Sequence, residues 1–368
     1  MRILFLSSVV DGGSGRSQRE LVRRLRTRGH DVRLLVDDGR PARPRRWIGE
    51  HLADASERFA SLPGLRWLEA RPGARTSIER IDGLDHRVST HPQNALPSIL
   101  ADFDPEIVVG NSVARFTWRR SLDHCRAAGV PTVLYLREVA AIGHLDIEPA
   151  PADVLVANAR SLAERAEALG HRCAFVPSVI DTSPTRTESV RTHALFVNPI
   201  ETHGIDLLCQ VARRCADIPF VVQESWPLDP ETLDLLNECL ASLPNVEFRG
   251  HRPPGPHLYA DARVLLVPHR IDNRPRVIVE AQANAIPALV STHAGLVEAA
   301  GTAGVAIDED DVAAWADELV GLWTDEASYG ALVEAAEREG QRPELDPDHV
   351  VGAFEDLLAQ VGTAPKRP

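Results

Sequence analysis

Three acids and three arginines share one short stretch, Pro268 to Glu298 (PHRIDNRPRVIVEAQANAIPALVSTHAGLVE), with Asp272 and Glu280 eight positions apart, Glu298 at its end, and Arg270, Arg274 and Arg276 in the loop before and at the start of a helix. Val277, Ile278, Ala281 and Ala285 recur at helical spacing and give that helix an apolar stripe. A helix N-terminus has free N–H groups and partial positive charge, so it suits an anion. An anion site, two acids and a loop that follows a strand suggest a ligand that is part phosphate and part polyol. The same spacing fits a surface helix with scattered charges, and spacing alone does not choose between the two.

The elements that would position such a site alternate. Ile3 to Val10 reads as a buried strand, Asp11 to Gly15 as a tight loop, Ser17 to Arg28 as an amphipathic helix and Asp31 to Val36 as a second strand. This βαβ unit points to a doubly wound domain. Gly12 and Gly13 let backbone approach a ligand, but the loop lacks GxGxxG spacing and fits a plain turn equally well. Further strands end in Gly110-Asn111-Ser112, Arg137-Glu138 and Asn158. Ligands of open α/β sheets bind beyond the carboxyl ends of strands, so these residues fall on the side of Gly12 and Gly13. The Arg137–Glu138 neighbours also fit a solvated pair. His144 lies in the loop that follows, within reach of the cleft.

Residues 39–98 carry weak periodicity and read as loops and short elements. Residues 182–192 (TSPTRTESVRT) read as a linker. A second α/β series follows, with strands beginning at Ala194, Pro219, Val246, Val264 and Pro287. Late helices cover Val312 to Trp323 and Ala327 to Glu339, and His349 to Val361 forms a terminal helix whose apolar stripe must pack on something. The expectation is an α/β protein of two facing doubly wound domains, 1–182 and 183–344, then a terminal helix within 345–368 packing back on the first, and a disordered tail from Gly362.

Composition narrows the class. A chain of 368 residues exceeds one core. With 44% hydrophobic and 25% charged residues it is an ordinary globular protein. A formal charge of −13 argues against a nucleic-acid partner. The basic run Arg40 to Arg46 (RPARPRR) reads as a solvated loop, with a membrane-docking patch as the alternative. Lys366 is the single lysine, so a basic phosphate contact elsewhere must use Arg or His. The five cysteines show no CxxC spacing and read as core fillers in a reducing compartment, with no disulfide or zinc framework. No segment reads as a signal peptide or an integral membrane span, which places the protein in the cytoplasm.

The assembled pieces resemble a known family. Gly12 to Val36 (GGSGRSQRELVRRLRTRGHDVRLLV), Ala152 to Ser161 (ADVLVANARS), Val176 to Asp181 (VPSVID), Leu195 to Asp206 (LFVNPIETHGID), Asn245 to Gly250 (NVEFRG), Val264 to His269 and Glu280 to Glu298 stand in the order and spacing of the GT-B retaining glycosyltransferases of the large family 4, which includes sucrose synthase-like and mannosyltransferase enzymes. The resemblance spans nearly the whole chain.

It implies a GT-B fold with an acceptor-binding first domain and a nucleotide-sugar-binding second domain. The family's pair of acids falls on Asp272 and Glu280: Glu280 on the ribose hydroxyls, Asp272, one methylene shorter than the usual Glu, on the transferred sugar. A carboxylate suits a vicinal diol because it accepts with two oxygens. The helix start at Pro275, Arg276 and Val277 would face the diphosphate, with Arg274 or Arg276 supplying fixed charge. Asn198, Pro199 and His203 occupy the place of the usual Arg and Lys, and a bound diphosphate would raise the pKa of His203. Gly12 and Gly13 would border the donor. Ser14, Arg16, Asn111, Ser112 and His144 fall in the acceptor region, and Arg137 and Glu138 near the sugar and phosphate, with catalytic roles alongside Asp272. The reaction implied is same-face transfer of a sugar from a nucleoside-diphosphate sugar to an acceptor hydroxyl on a small soluble metabolite, by a monomer or homodimer. No metal or other cofactor is expected. No DxD triplet of the metal-using type is present, and Asp308 to Asp311 reads as N-terminal helix charge. The alternatives are an altered relative that binds a nucleotide sugar without transferring it or couples a non-sugar donor, and, from another class, a nicotinamide dehydrogenase.

Overall fold

The computed structural model describes residues 1–8, 12–37, 76–148 and 150–362. Asp11, the basic run at Arg40 to Arg46, most of the 39–98 segment and the tail from Thr363 lie outside the described residues.

The first half is built on one sheet. In chain order its elements are β1 (Arg2–Ser7), α1 (Gly12–Thr27), β2 (Asp31–Asp37), β3 (Thr76–Ile81), β4 (Leu84–Ser89), α2 (Pro92–Phe103), β5 (Ile107–Asn111), α3 (Arg115–Ala128), β6 (Thr132–Leu136), β7 (Val154–Ala157), α4 (Arg160–Ala168) and β8 (Cys173–Phe175). The strands line up as β3-β4-β2-β1-β5-β6-β7-β8, and β3, antiparallel to β4, is the one reversed strand. Alternate residues of each strand face opposite sides. Leu4, Leu6, Val108, Leu134 and Leu136 therefore pack with Leu96, Trp118 and Leu162 on one face. Phe5, Val109, Val133 and Tyr135 pack with Leu21 and Leu25 of α1 on the other.

The second half carries β9 (His193–Val197), α5 (Ile205–Arg214), β10 (Phe220–Gln223), α6 (Pro230–Leu240), β11 (Val246–Arg249), β12 (Ala262–Val267), α7 (Arg276–Gln282), β13 (Ala288–Ser291), α8 (Ala294–Ala300), β14 (Gly304–Ile307), α9 (Val312–Thr324) and α10 (Glu326–Gly340). Its sheet runs β11-β10-β9-β12-β13-β14, with every pairing parallel. Asp311 caps α9 by accepting from the Ala314 amide. The last helix, α11 (Pro347–Gly362), returns to the first sheet, where Phe354 stacks on Phe5 and Tyr135 and Leu358 is fully buried. The segment between the sheets is pinned to the second one: the Val190 and Thr192 amides donate to Ala260 and Asp261, and the Thr187 amide to Asn284.

Three sequence expectations change. Gly12 to Gly15 are not a loop but the first turn of α1, with Gly12 at a positive φ of 75°. Residues 76–98, expected as loops and short elements, hold the hairpin of β3 and β4 and the first part of the 12-residue helix α2. Cys209 and Cys239 form a disulfide between α5 and α6. Their separation of 30 residues matches no spacing rule; the two helices meet only because Leu207 and Leu236 pack against the same face of the second sheet. Cys125 and Cys215 are free and buried, and Cys173 is free and half-buried.

Candidate functional site

A cleft of about 410 Å³ lies between the sheets, beyond the carboxyl ends of their strands, within the ordinary size range of a small-molecule site. The first domain contributes Gly12, Gly13, Ser14 and Ser17 from α1, Ser112 after β5, Arg137 and Glu138 after β6, and Asn158 after β7. The second contributes Asn198, His203 and Trp226, and the run His269 to Val277 supplies His269, Asn273, Arg274, Pro275, Arg276 and Val277. The start of α7 thus faces the cleft, with Pro275 as its cap residue.

The two domains touch through backbone at one edge of this cleft. Glu138 and Asn273 form an antiparallel bridge, and the Val139 amide donates to the Asp272 carbonyl at 3.3 Å. That register sets Arg137 opposite Arg274.

The three guanidiniums in the cleft have different surroundings. Arg276 is satisfied within the protein: it donates to Glu280 at 2.8 Å, to Glu20 at 3.0 Å and to Ser17 at 3.1 Å. Burial works to lower its pKa, but the two carboxylates outweigh it and raise the value. Arg137 has only neutral partners. It donates to the Asn111 side chain and to Ser178 Oγ at 2.7 Å, and it stacks over the Tyr135 ring at 4.2 Å. Arg274 is buried, yet its Nε and Nη2 have no hydrogen-bond partner. Its nearest carboxylate oxygen, on Glu298, stands at 3.7 Å. Burial lowers the pKa of both Arg137 and Arg274. A buried guanidinium with open donors is a strong site for an anion.

His203 does not supply the charge expected of it. Its ring stacks on His269 with centroids 4.0 Å apart, meets Trp226 edge-on and bonds through Nδ1 to the Asn198 carbonyl at 3.0 Å. Burial pushes its pKa down to about 4, although the Asn198 and Val197 carbonyls oppose the change. Burial also holds His269 well below the ordinary value, and His203 adds to that. Both imidazoles are neutral near pH 7, so the fixed charge rests on the arginines. Asn198 sits in the left-handed region and its side chain accepts from the amide and hydroxyl of Ser225. The chain turns tightly there at the end of β9.

The acids lie differently from their expected places. Glu280 is 1% exposed and sits beneath the cleft lining, where Tyr259 at 2.9 Å, Arg276 and Arg16 at 3.2 Å occupy its oxygens. Asp272 lines a small side pocket with Gly295; its Oδ1 accepts from the Gly295 amide at 2.8 Å and its Oδ2 from Arg165 at 3.2 Å. A Cβ on Gly295 would come within 2.6 Å of the Asn273 carbonyl and 2.9 Å of Asp272 Oδ1, so this approach requires glycine. Glu138 is exposed at the cleft wall. Arg270 turns away to Asp206 and Asp310.

Of the acceptor-region residues, Ser14 and Ser112 join by a 2.6 Å hydroxyl bond at the cleft. Asn111 is fully buried and orients Arg137. Arg16 links Glu20 and Glu280 across the domains. His144 is buried outside the cleft lining against the Val113 and Ala141 carbonyls. The sequence reading missed Trp226, His269, Asn273, Ser17, Ser178 and Glu298. Trp226 follows the end of β10, and the strand-end rule applied to that strand would have found it. Among the described residues no group of three or more His, Cys, Asp or Glu side chains could hold a metal ion, and no helix is long and apolar enough to cross a membrane.

Comparison with known proteins agrees with this architecture. Residues 191–325 match the family described as glycosyl transferases group 1. No curated protein matches the chain significantly. Among solved structures, HepE of Anabaena in complex with UDP superposes with a TM-score of 0.70 at 14% identity, covering 98% of this chain and 100% of that one. Sucrose-phosphate synthase of Thermosynechococcus elongatus gives 0.73 at 14% identity over 99% and 100% of the two chains. TarM gives 0.65 at 8% identity over 97% and 98%. The resemblance in the sequence and the two-sheet fold therefore agree: the chain has the GT-B fold, and residues 191–325 of its second half are similar to the group 1 glycosyl transferases.

Proposed function

We propose that the protein is a retaining glycosyltransferase that moves a sugar from a nucleoside-diphosphate sugar to a hydroxyl of a small soluble acceptor. The observation that carries this reading is Arg274, a buried guanidinium with two unpartnered nitrogens lining an inter-domain cleft, with Arg137 opposite. A diphosphate would take up those donors and the N-terminal end of α7. Departure of a nucleoside diphosphate builds negative charge on the leaving phosphate, and fixed donors aimed there stabilise it without reorganising. The guanidiniums serve this purpose and no metal is assigned. The cleft walls hold donor and acceptor together. Glu138, exposed at the wall and contributed by the first domain, would meet the acceptor on this reading. The reaction takes place in the cytoplasm.

A second reading is favoured by one observation: the oxygens of Glu280 and Asp272 are engaged by the protein. On this reading the cleft binds a nucleotide sugar without transferring it. Titration calorimetry with UDP, GDP and dTDP, with NAD as the control, followed by nucleoside diphosphate release assays over an acceptor panel, separates the possibilities. Nucleotide binding with turnover is the expected result. Binding without turnover selects the second reading, and NAD binding alone rejects both.

A further inference from the structure

We infer that Glu298 is a positioning residue of the phosphate site: it holds Arg274 in place through one oxygen while the other is fixed by the opposite domain. This rests on reading the cleft as a diphosphate site. Glu298 belongs to α8 of the second domain. Its Oε2 accepts from the amides of Arg160 at 2.7 Å and Ser161 at 3.2 Å, at the start of α4 in the first domain. The cap residue of α4, Ala159, has no side-chain acceptor to offer. A carboxylate from the other domain supplies what the local sequence lacks, and negative charge is favoured at that end of a helix.

The second oxygen has a different task. Glu298 Oε1 is buried without a hydrogen-bond partner, and so are Arg274 Nε and Nη2. Nε and Oε1 stand 3.7 Å apart. A shift of about 1 Å would bring them to charge-assisted hydrogen-bond distance. Among the described residues, no other carboxylate comes within ion-pair distance of Arg274. One cation acts the other way, since Arg342 disfavours the charge of Arg274, while Glu344 favours it from farther off. Glu298 counters Arg342, and its carboxylate is in turn fixed by the α4 amides of the other domain. A ligand phosphate then meets an arginine that is already in position.

The test is titration calorimetry of the full chain with UDP and, separately, with inorganic pyrophosphate. The proteins are wild type, Glu298→Gln, Glu298→Ala, Arg274→Ala and the Glu298→Gln/Arg274→Ala double variant, each checked for folding by circular dichroism. Gln keeps an oxygen for the α4 amides but not the charge that holds Arg274. The expected result is that Gln and Ala both weaken binding by roughly tenfold, and that Glu298→Gln has no further effect once Arg274 is gone. Wild-type affinity in Glu298→Gln with loss only in Glu298→Ala would reduce Glu298 to a helix cap and overturn the inference. So would tighter anion binding in Glu298→Gln, or losses that simply add. Pyrophosphate binding with this coupling, but no UDP binding, upholds the positioning role and removes the nucleotide reading. A wild-type chain that binds neither ligand rejects both.

Discussion

Replacing His203 by Gln should flatten the acid dependence of stability, and the structure gives the size of the effect. The folded protein holds the imidazole at about 4 against an ordinary value of 6.5, chiefly through burial. Above the ordinary value neither folded nor unfolded chain is protonated, and the group has no effect. Between the two values the unfolded chain binds a proton that the folded chain refuses, so stability falls as pH falls. Each pH unit across that window costs about 1.4 kcal/mol, for a total of about 3 kcal/mol by the lower limit. His269 shifts in the same direction and remains in the variant, but His203 contributes to that shift, so the difference between the two proteins reports the titration of His203 together with its effect on His269. The assay is urea unfolding followed by fluorescence at steps from about pH 7 to about pH 4.5, with the slope of each curve checked for change. Wild type should lose stability faster than the variant through this range. Parallel curves would refute the reasoning, because they would mean that the ring stacked on His269 is protonated as readily in the fold as out of it.

Two further substitutions test the neighbourhood. Glu280→Ala should weaken UDP binding by about 1–3 kcal/mol, since it removes a charged partner of Arg276, Arg16 and Tyr259 beneath the cleft; unchanged affinity by calorimetry would reject any ribose role for this residue. Gly295→Ala should destabilise the second domain by about 1–3 kcal/mol, because its methyl group would press on the Asn273 carbonyl and Asp272 Oδ1; a thermal melt equal to wild type would show that the loop yields.

The sequence discloses the strands of both sheets where apolar runs are long. β5 to β7, β9, β10, β12 and β13 lie close to their expected bounds because each is almost wholly buried and bracketed by turn residues, and the edge strand β11 does so although it is only partly buried. β3 and β4 escape notice for the opposite reason: TSIERI has an exposed edge, and LDHRVS is broken by charge. The cleft is legible in outline, since strand ends converge by topology. Its charge state is not. Nothing in the spacing of Arg270, Arg274 and Arg276 tells that the first turns to Asp206, the second stays unpartnered and the third is neutralised by acids from both domains. That sorting depends on which side chains the other domain brings, and Glu20 stands 256 residues away from Arg276.

The sorting makes opposite demands on two arginines in the same loop. Arg276 holds the domains together: its removal leaves Glu280 and Glu20, both buried, with Arg16 as the one cation to share among the described residues. Breaking a buried ion pair from one side leaves an uncompensated charge and costs about 3–5 kcal/mol, a figure that Arg16 reduces here. Arg274 is the reverse case. Its open donors are desolvated with only Glu298, at 3.7 Å, in partial return, and an apolar side chain of similar length would relieve that. Arg276→Met should therefore lower the unfolding midpoint, whereas Arg274→Met should leave it unchanged or raise it while losing affinity for pyrophosphate. Stability given up at a site for the sake of an absent ligand is the ordinary signature of a binding group. If Arg274→Met proves the less stable of the two, its donors are satisfied in solution, and the cleft is not waiting for an anion.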